Sequence, residues 1–273
     1  MNKRLIKQII IAFVLILILS GFGFLAYYFS RPGPTCTDGI QNQSEEGIDC
    51  GGPCTSCDVA SLEEVKVIWA KVIPAQNNFY DLAAQIRNLN QNHGSGEVSY
   101  KFELYDDTGN IVVQRSGQTF ILPNQTKYLT QTRVMVNRLV SQVRLSFSEI
   151  NWQRIEDYQS PQLFIQQKEY RLLGSEEAGF SQARAVLVNK SSFDFDRIDI
   201  DILLFDASRN LLALNSTEMR TLLSGQERDF IAIWFSPIEG QVSFVEMEPE
   251  TNVFNPDNYL STGGRMPERF QEY

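Results

Sequence analysis

The chain has 273 residues, of which 43% are hydrophobic and 11% aromatic, and its formal net charge is -9 at pH 7. This apolar content is far above that of disordered chains, and it predicts packed cores in one large or two ordinary domains. The acidic balance, without a cluster of Lys and Arg, excludes nucleic acids and anionic membrane surfaces as expected partners, because both require basic patches.

An apolar segment at residues 9–29, IIIAFVLILILSGFGFLAYYF, contains no charged residue. As a helix that rises about 1.5 Å per residue, it would span roughly the 30 Å of a bilayer core. Lys3, Arg4 and Lys7 precede it, so the positive-inside bias predicts a cytoplasmic segment at 1–8, a single transmembrane helix, and an extracytoplasmic location for the rest. A cleaved signal peptide is the alternative, although no small-residue cleavage pattern follows the run.

All the cysteines of the chain lie in the segment 30–61, at Cys36, Cys50, Cys54 and Cys57. Thiols pair outside the cytoplasm, so two disulfides are the favoured interpretation, with three connectivities open. Large aliphatic residues are few in this segment, and cross-links would have to replace a core. Zinc binding and a thioredoxin-like role are less favoured, because the paired C-x2-C knuckles and the βαβ context that they need are missing.

The same segment carries oxygen ligands of the type that calcium prefers, at Asp38, Asn42, Glu45 and Asp49. Their order differs from that of an EF-hand loop. A solvated acidic loop is therefore the favoured interpretation and a calcium site is the alternative, and no other cofactor is expected.

The pattern DGxxNxxExGxDCGGxCxxC, from Asp38 to Cys57, resembles a short cysteine module found in many secreted and surface-attached proteins. The resemblance implies a location outside the cytoplasm and no particular activity.

The remainder of the chain contains an internal repeat. Residues 98–114 (VSYKFELYDDTGNIVVQ) align with residues 198–214 (IDIDILLFDASRNLLAL) at an offset of 100. Flanking matches at an offset of 101 precede and follow this pair, and one of them joins Asn88 to Asn189. Ordered matches of this kind predict two copies of one domain.

Each copy has the residue pattern of a β-sandwich. Over 98–105, apolar residues alternate with polar ones, which is the period of a strand with one face on a core. Similar runs in the first copy predict strands at 65–73, 82–88, 111–114, 119–122, 126–136 and 141–147. About seven short strands in about 90 residues predict an all-β fold of two tandem immunoglobulin-like sandwiches, at 62–155 and 160–255, followed by a tail at 256–273.

A hairpin turn follows the central strand of each copy. In the first copy Gly109 can take a positive φ at little cost. The second copy has Arg209 at this position, so Asn210 is expected to take that conformation instead.

The segment FELYD, residues 102–106, is identical to the motif that names the FxLYD domain, and ILLFD at 202–206 is a conservative variant. This resemblance covers residues 62 to about 250. It implies small Ig-like sandwiches of bacterial envelope proteins, a family whose pattern includes no catalytic motif.

No residue pattern indicates catalysis. The one histidine, His93, lies in the glycine-rich segment NQNHGSG without a recognisable orienting acid or nucleophile. We therefore expect a non-enzymatic, membrane-anchored protein that acts in binding or in envelope architecture through a protein or envelope partner. A calcium-responsive or small-ligand sensor, or an envelope assembly factor, is the alternative. The divergent loops 89–97 and 190–197 are the expected partner-binding segments.

Overall fold

The computed structural model of the chain describes residues 3–29, 36–76 and 78–260. The chain forms two compact units, Met1–Leu62 and Glu63–Tyr273. The first unit contains the apolar helix α1, Lys3–Phe29, and the cysteine segment, which ends in the one-turn helix α2, Cys57–Ala60. The second unit contains all the named strands.

Helix α1 is long and apolar enough to cross a membrane from Ile10 to Tyr28, and none of this stretch is buried within the protein. Its side chains therefore have no protein core to pack into. A helix with these properties near the N-terminus is either a membrane anchor or a signal sequence.

The first sandwich has six main strands: β1 Lys66–Pro74, β2 Phe79–Arg87, β3 His93–Tyr105, β4 Ile111–Ile121, β5 Thr126–Met135 and β6 Gln142–Phe147. All neighbouring strands are antiparallel. One sheet has the order β1-β2-β5 and the other the order β4-β3-β6. Side chains from both sheets meet in one core, in which Phe102, Leu104 and Ile86 are fully buried.

The second sandwich follows a two-residue strand, β7 Gln153–Arg154, which pairs with the start of β3. Its main strands are β8 Leu163–Leu172, β9 Ser181–Asn189, β10 Phe195–Phe205, β11 Leu211–Leu222, β12 Glu227–Trp234 and β13 Phe244–Glu250. The sheet orders β8-β9-β12 and β11-β10-β13 reproduce those of the first sandwich strand for strand. The all-β fold predicted from the repeat is thus confirmed.

The number of strands per copy differs from the expectation of about seven. The runs 111–114 and 119–122 belong to the single strand β4. The polar residues between them interrupt the apolar alternation, but they stay paired with β3, for example Gln114 with Glu103 and Gln118 with Ser99. Backbone pairing continues there because a solvent-facing stretch of an antiparallel strand needs no apolar side chains.

The same aspartate closes the central hairpin in both copies. The Oδ1 atom of Asp106 accepts hydrogen bonds from the amides two and four residues ahead, at 3.0 and 2.9 Å. Asp206 makes the equivalent pair, each at 2.8 Å. The aspartate of the LYD segment is therefore a turn residue, in keeping with the tendency of Asp to bond its own backbone.

The expectation that Asn210 takes the positive φ in the second hairpin is wrong. Arg209 itself has a φ of 64°, close to the 82° of Gly109. Its guanidinium pairs with Glu246 at 2.7 Å and lies 4.2 Å from the ring centroid of Phe244. These contacts offset the cost of a left-handed conformation in a residue with a Cβ atom.

Two apolar clusters join the sandwiches, and we call the region that they form the junction. In the first cluster, Ile73, Ala83 and Tyr128 pack with Leu203, Phe205 and Leu214. In the second, Phe120 and Leu122 pack with Val253. The sheet β1-β2-β5 therefore has packed side chains on both of its faces, and so does the sheet β11-β10-β13.

The segment after β13 belongs to the fold as far as residue 260, although a tail was expected from residue 256. The ring of Tyr259 lies 5.7 Å from that of Phe195, and the amide of Leu260 donates to the carbonyl of Asp194. Residues 261–273, the rest of the expected tail, lie outside the described part of the chain.

Equivalent core residues test whether the two copies are stabilised in the same way. Phe102 and Ile202 are both completely buried at matching positions of β3 and β10. Substitution of either with Ala should lower the free energy of unfolding by about 2–5 kcal/mol, because a cavity replaces packed side-chain atoms. Urea denaturation measures the change, and the exposed Ser99→Ala on the same strand is the control. A loss below about 0.5 kcal/mol for the core variants would contradict the assigned core.

Candidate functional site

Two disulfides cross-link the cysteine segment, Cys36 to Cys54 and Cys50 to Cys57, with S–S distances of 2.02 and 2.08 Å. The two disulfides overlap in sequence, because Cys50 lies between Cys36 and Cys54. The structure therefore has the interleaved one of the three possible connectivities. No described cysteine is left as a free thiol. Pairing removes the thiolates on which zinc binding or a redox role would depend.

The acidic residues of the segment organise its backbone. The carboxylate of Asp49 accepts hydrogen bonds from the amides of Asp38 and Gly39 at 2.9–3.1 Å. Buried Glu45 accepts from the amides of Asn42 and Asp49 through one oxygen, at 3.1 and 3.3 Å. So short a segment cannot form an apolar core. Its carboxylates instead accept hydrogen bonds from backbone amides that have no neighbouring strand to pair with.

The four residues of the expected calcium set lie in one small segment, but most of their side-chain oxygens already accept hydrogen bonds from protein groups. Within the described residues, the only group of metal-ligand atoms that lie close together combines Glu45 with Cys36 and Cys54. Those two sulfurs form a disulfide and are poor ligands for a hard cation such as calcium. The Oδ1 atom of Asn42 is an exception, because it is buried and has no hydrogen-bond partner among the described residues.

A buried ion pair lies at the junction of the sandwiches. Lys127 of β5 contacts Glu250 of β13, and their side chains are only 3% and 5% exposed. The ammonium also donates to the hydroxyl of Thr119 at 3.1 Å and to the carbonyl of Phe120 at 3.2 Å. Three oxygen acceptors therefore surround the three N–H groups of the lysine, as a buried ammonium requires.

Two further carboxylates reach the same strand from the second sandwich. Asp201 of β10 accepts a hydrogen bond from the hydroxyl of Thr130 at 2.8 Å, and Glu248 of β13 accepts from the amide of Tyr128 at 3.1 Å. Loss of hydration at the junction raises the pKa of Asp201 to about 6 and that of Glu248 to about 7, although hydrogen bonds and Lys127 oppose both shifts. These two groups titrate near neutral pH.

The glycines of the segment NQNHGSG are packing sites. A Cβ atom at Gly96 would lie 2.6 Å from the Cβ of Phe254, and one at Gly94 would lie 2.5 Å from the carbonyl oxygen of Ile121. The side chain of Asn252 donates to the carbonyl of Gly96 at 3.0 Å. The segment after β13 therefore rests directly on the backbone of β3, and only glycine leaves room for it.

The expected partner-binding loops are partly covered. In the segment 89–97, the residues from His93 to Ser95 are buried at the start of β3, where β7 pairs with them. In the segment 190–197, Ser191 and Phe195 are buried. Both segments retain exposed residues, among them Asn92 and Phe193, and their role in partner binding stays a prediction.

The loops owe this arrangement to the paired asparagines of the repeat. The side chain of Asn88 donates to the carbonyls of His93 and Leu122, and that of Asn189 donates to the carbonyls of Phe193 and Leu222. Each asparagine thus ties its loop to the end of the neighbouring strand. The repeat match found these residues, but the structure assigns them a structural role.

Open cavities border the junction. One of them, of about 990 Å³, is lined mainly by polar side chains that include Glu97, Asp196, Arg220 and Asn258. Several of these groups bond to neighbouring side chains: Gln118 donates to Glu97 at 2.6 Å, and Arg220 pairs with Asp196 at 3.0 Å.

Sequence reasoning missed the junction residues Lys127, Asp201, Glu248 and Glu250. The alternation around Asp201 indicates which face of the strand it lies on, but alternation does not show what covers that face. The burial of Lys127 could have been predicted from its position in the sequence. It lies two residues before Leu129, which belongs to the first core, and therefore lies on the same face of the strand.

Comparisons with known proteins do not assign a function. No family profile and no curated protein matches the sequence. Among solved structures, an oxalate decarboxylase variant from Bacillus subtilis aligns with 79% of this chain and 87% of that chain, at 8% sequence identity and a TM-score of 0.09. At this TM-score the two folds do not superpose, and the alignment carries no argument about fold or function.

The glycine contact gives a test of the junction. Gly96→Ala should destabilise the second unit by about 1–3 kcal/mol, because the new methyl group overlaps Phe254 and displaces the segment after β13 from β3. Gly174→Ala is the matched control, since its nearest neighbour would be a flexible carboxylate at 3.7 Å. Thermal unfolding of the full chain measures both. Equal melting temperatures for the two variants would show that Phe254 does not pack on β3.

Proposed function

We propose that this chain is a single-pass membrane protein that displays two immunoglobulin-like sandwiches outside the cytoplasm, acting in binding or in envelope architecture and not as an enzyme. The single observation that carries the proposal is the order of its parts: an unburied apolar helix, a disulfide-linked segment, and a folded all-β unit.

The disulfides support an extracytoplasmic location. Structural disulfides persist in oxidising compartments and are rare in the cytosol. The bases Lys3, Arg4 and Lys7 precede the helix, which agrees with a cytoplasmic N-terminus and an uncleaved anchor. The resemblance of residues 38–57 to a module of surface-attached proteins points the same way.

The junction supports a role in display or binding. Tandem domains on a flexible linker sample many orientations, whereas two sandwiches with a shared apolar cluster and a buried ion pair present their surfaces in a constant arrangement. A unit of this kind presents the surfaces of its two sandwiches together. The FxLYD resemblance, which implies envelope proteins without a catalytic motif, is in keeping with this role.

The proposed topology is tested with a reporter fused after Tyr273 in intact cells. We expect the reporter to be active outside the cytoplasm, and alkylation without reductant to label none of the four cysteines. A variant with Lys3, Arg4 and Lys7 replaced by Gln should lower the fraction with this orientation, because the positive charges determine it. A protected C-terminus with reactive thiols would refute the proposal.

Calcium binding by the cysteine segment is a second candidate function, favoured by the partnerless Oδ1 atom of Asn42 among the carboxylates of Asp38, Glu45 and Asp49. An amide oxygen without a donor is a ligand that a hard cation can use. Bound calcium would make the segment a calcium-dependent stalk.

A calcium titration of the full chain in detergent tests this candidate. Calcium at a hundredfold excess over its dissociation constant should stabilise the bound state by about 2.7 kcal/mol relative to a chelator. Asn42→Ala should remove the effect, and Asp58→Asn, an exposed acid of the same segment outside the set, should keep it. Identical melting curves with calcium and with chelator would eliminate this function.

A further inference from the structure

We propose that the junction between the two sandwiches is proton-dependent: it is tightly closed when Asp201 and Glu248 are protonated and loosens when they ionise. The proposal goes beyond display of the sandwiches, because it gives the unit two states. It rests on the composition of the junction, where three carboxylates surround one lysine.

The balance of charge at the junction is unequal. Lys127 is paired with Glu250, which leaves Asp201 and Glu248 without a cation of their own. The protein partners of these two groups are a hydroxyl and a backbone amide, which supply no compensating charge. Ionisation of both would place two uncompensated negative charges in a region of low hydration, and such charges are costly.

Neighbouring acids on the same strands have cationic partners, because arginines pair with them. Asp199 lies on the same strand as Asp201 and pairs with Arg197 at 2.8 Å. Glu246 lies on the same strand as Glu248 and pairs with Arg209 at 2.7 Å. The excess of negative charge is therefore confined to the positions that are covered by the first sandwich.

The charged and titratable groups that face Asp201 and Glu248 come from every element around them. They are Lys127 and Tyr128 on β5, Tyr100 on β3, Asp199 on β10 with its partner Arg197, Glu246 and Glu250 on β13, and Arg209 in the hairpin. Lys127 favours the ionisation of both acids, and the carboxylates of Asp201 and Glu248 in turn raise the pKa of Glu250.

Glu250 adds a constraint of its own. One of its oxygens contacts Lys127, whereas the other, Oε1, is buried and has no hydrogen-bond partner. Burial raises the pKa of Glu250 against the attraction of the lysine. A carboxylate with one unbonded oxygen therefore lies beside two carboxylates that have no cationic partner. Ionisation of all three acids at the junction would be energetically unfavourable.

The direction of the pH effect follows from the raised pKa values. Loss of hydration raises the pKa of Asp201 from 3.8 to about 6 and that of Glu248 from 4.5 to about 7. The folded state therefore binds protons more tightly than the unfolded state, and its stability falls as the pH rises above the unfolded pKa values and through the folded ones. The loss begins at about pH 4 and is nearly complete at about pH 8, so the range from about pH 5 to pH 8 covers its later part.

Carboxylates elsewhere have the opposite effect, in a different pH range. Arg171 lowers the pKa of Glu177 to about 2, and the hydrogen bonds of their turns lower the pKa of Asp106 and Asp206. Their stabilising effect is complete above the unfolded pKa and is lost only when the pH falls below about 4.5. Measurements above pH 5 therefore exclude the effects of these three carboxylates.

The test is hydrogen–deuterium exchange of the full chain in detergent micelles, for wild type and for a variant with Asp201→Asn and Glu248→Gln. These substitutions imitate the protonated groups at every pH. The ratio of wild-type to variant exchange rates at the amides of β5 and β13 should rise about tenfold or more from pH 5 to pH 8, because both acids complete their ionisation in the closed junction over that range. Asp229→Asn, which removes an exposed carboxylate on β12, is the control and should behave as wild type does.

A ratio of exchange rates between wild type and variant that does not change from pH 5 to pH 8 would overturn the proposal. If the double variant does not fold, the single Glu248→Gln variant provides the same comparison. Wild type alone also decides the question, because β5 and β13 must lose protection relative to the core strands β2 and β9 as the pH rises. Uniform loss of protection in all four strands would mean global unfolding and would refute a junction that responds by itself.

Discussion

The second unit depends on the packing of two sheet faces that an isolated sandwich would expose to water. Antiparallel sheets commonly have one face on a core and one face in solvent. Here Tyr128 of one sheet and Leu203 and Phe205 of the other form a further apolar cluster between the sandwiches. Each of these sheets therefore lies between two packed layers. The folding free energy of each sandwich includes contacts that only the other sandwich supplies.

The distribution of charge follows from this packing. A buried ion pair stabilises a fold only when its partners are well placed, and removal of one partner leaves an uncompensated charge. Lys127 and Glu250 meet this condition, but Asp201 and Glu248 add acidic groups in excess of the cations at the same junction. In the cysteine segment the carboxylates of Glu45 and Asp49 have a different role, because they accept hydrogen bonds from backbone amides where no core exists.

Much of the fold was predictable because its determinants are local. Alternation along β3 and β10 identified the strands and their buried residues, and the aspartates at 106 and 206 occupy turns that follow from their own chemistry. The conformation of Arg209 was not predictable in this way, since its cost is offset by Glu246 and Phe244, which lie in a later strand. The loop 89–97 resembles an exposed connection in sequence, yet part of it is buried because the segment after β13 packs on Gly94 and Gly96.

The sequence by itself determined the apolar helix, the cysteine segment, the repeat and the all-β character of its copies, because periodicity, turn residues and composition act over a few neighbouring residues. Only the tertiary structure decided that the two copies share a junction and that acidic groups surround a lysine within it. Lys127 and Glu250 are 123 residues apart in the chain. Alternation assigns each of them to a face of a strand, but the hydration and charge of that face depend on which other sheet covers it.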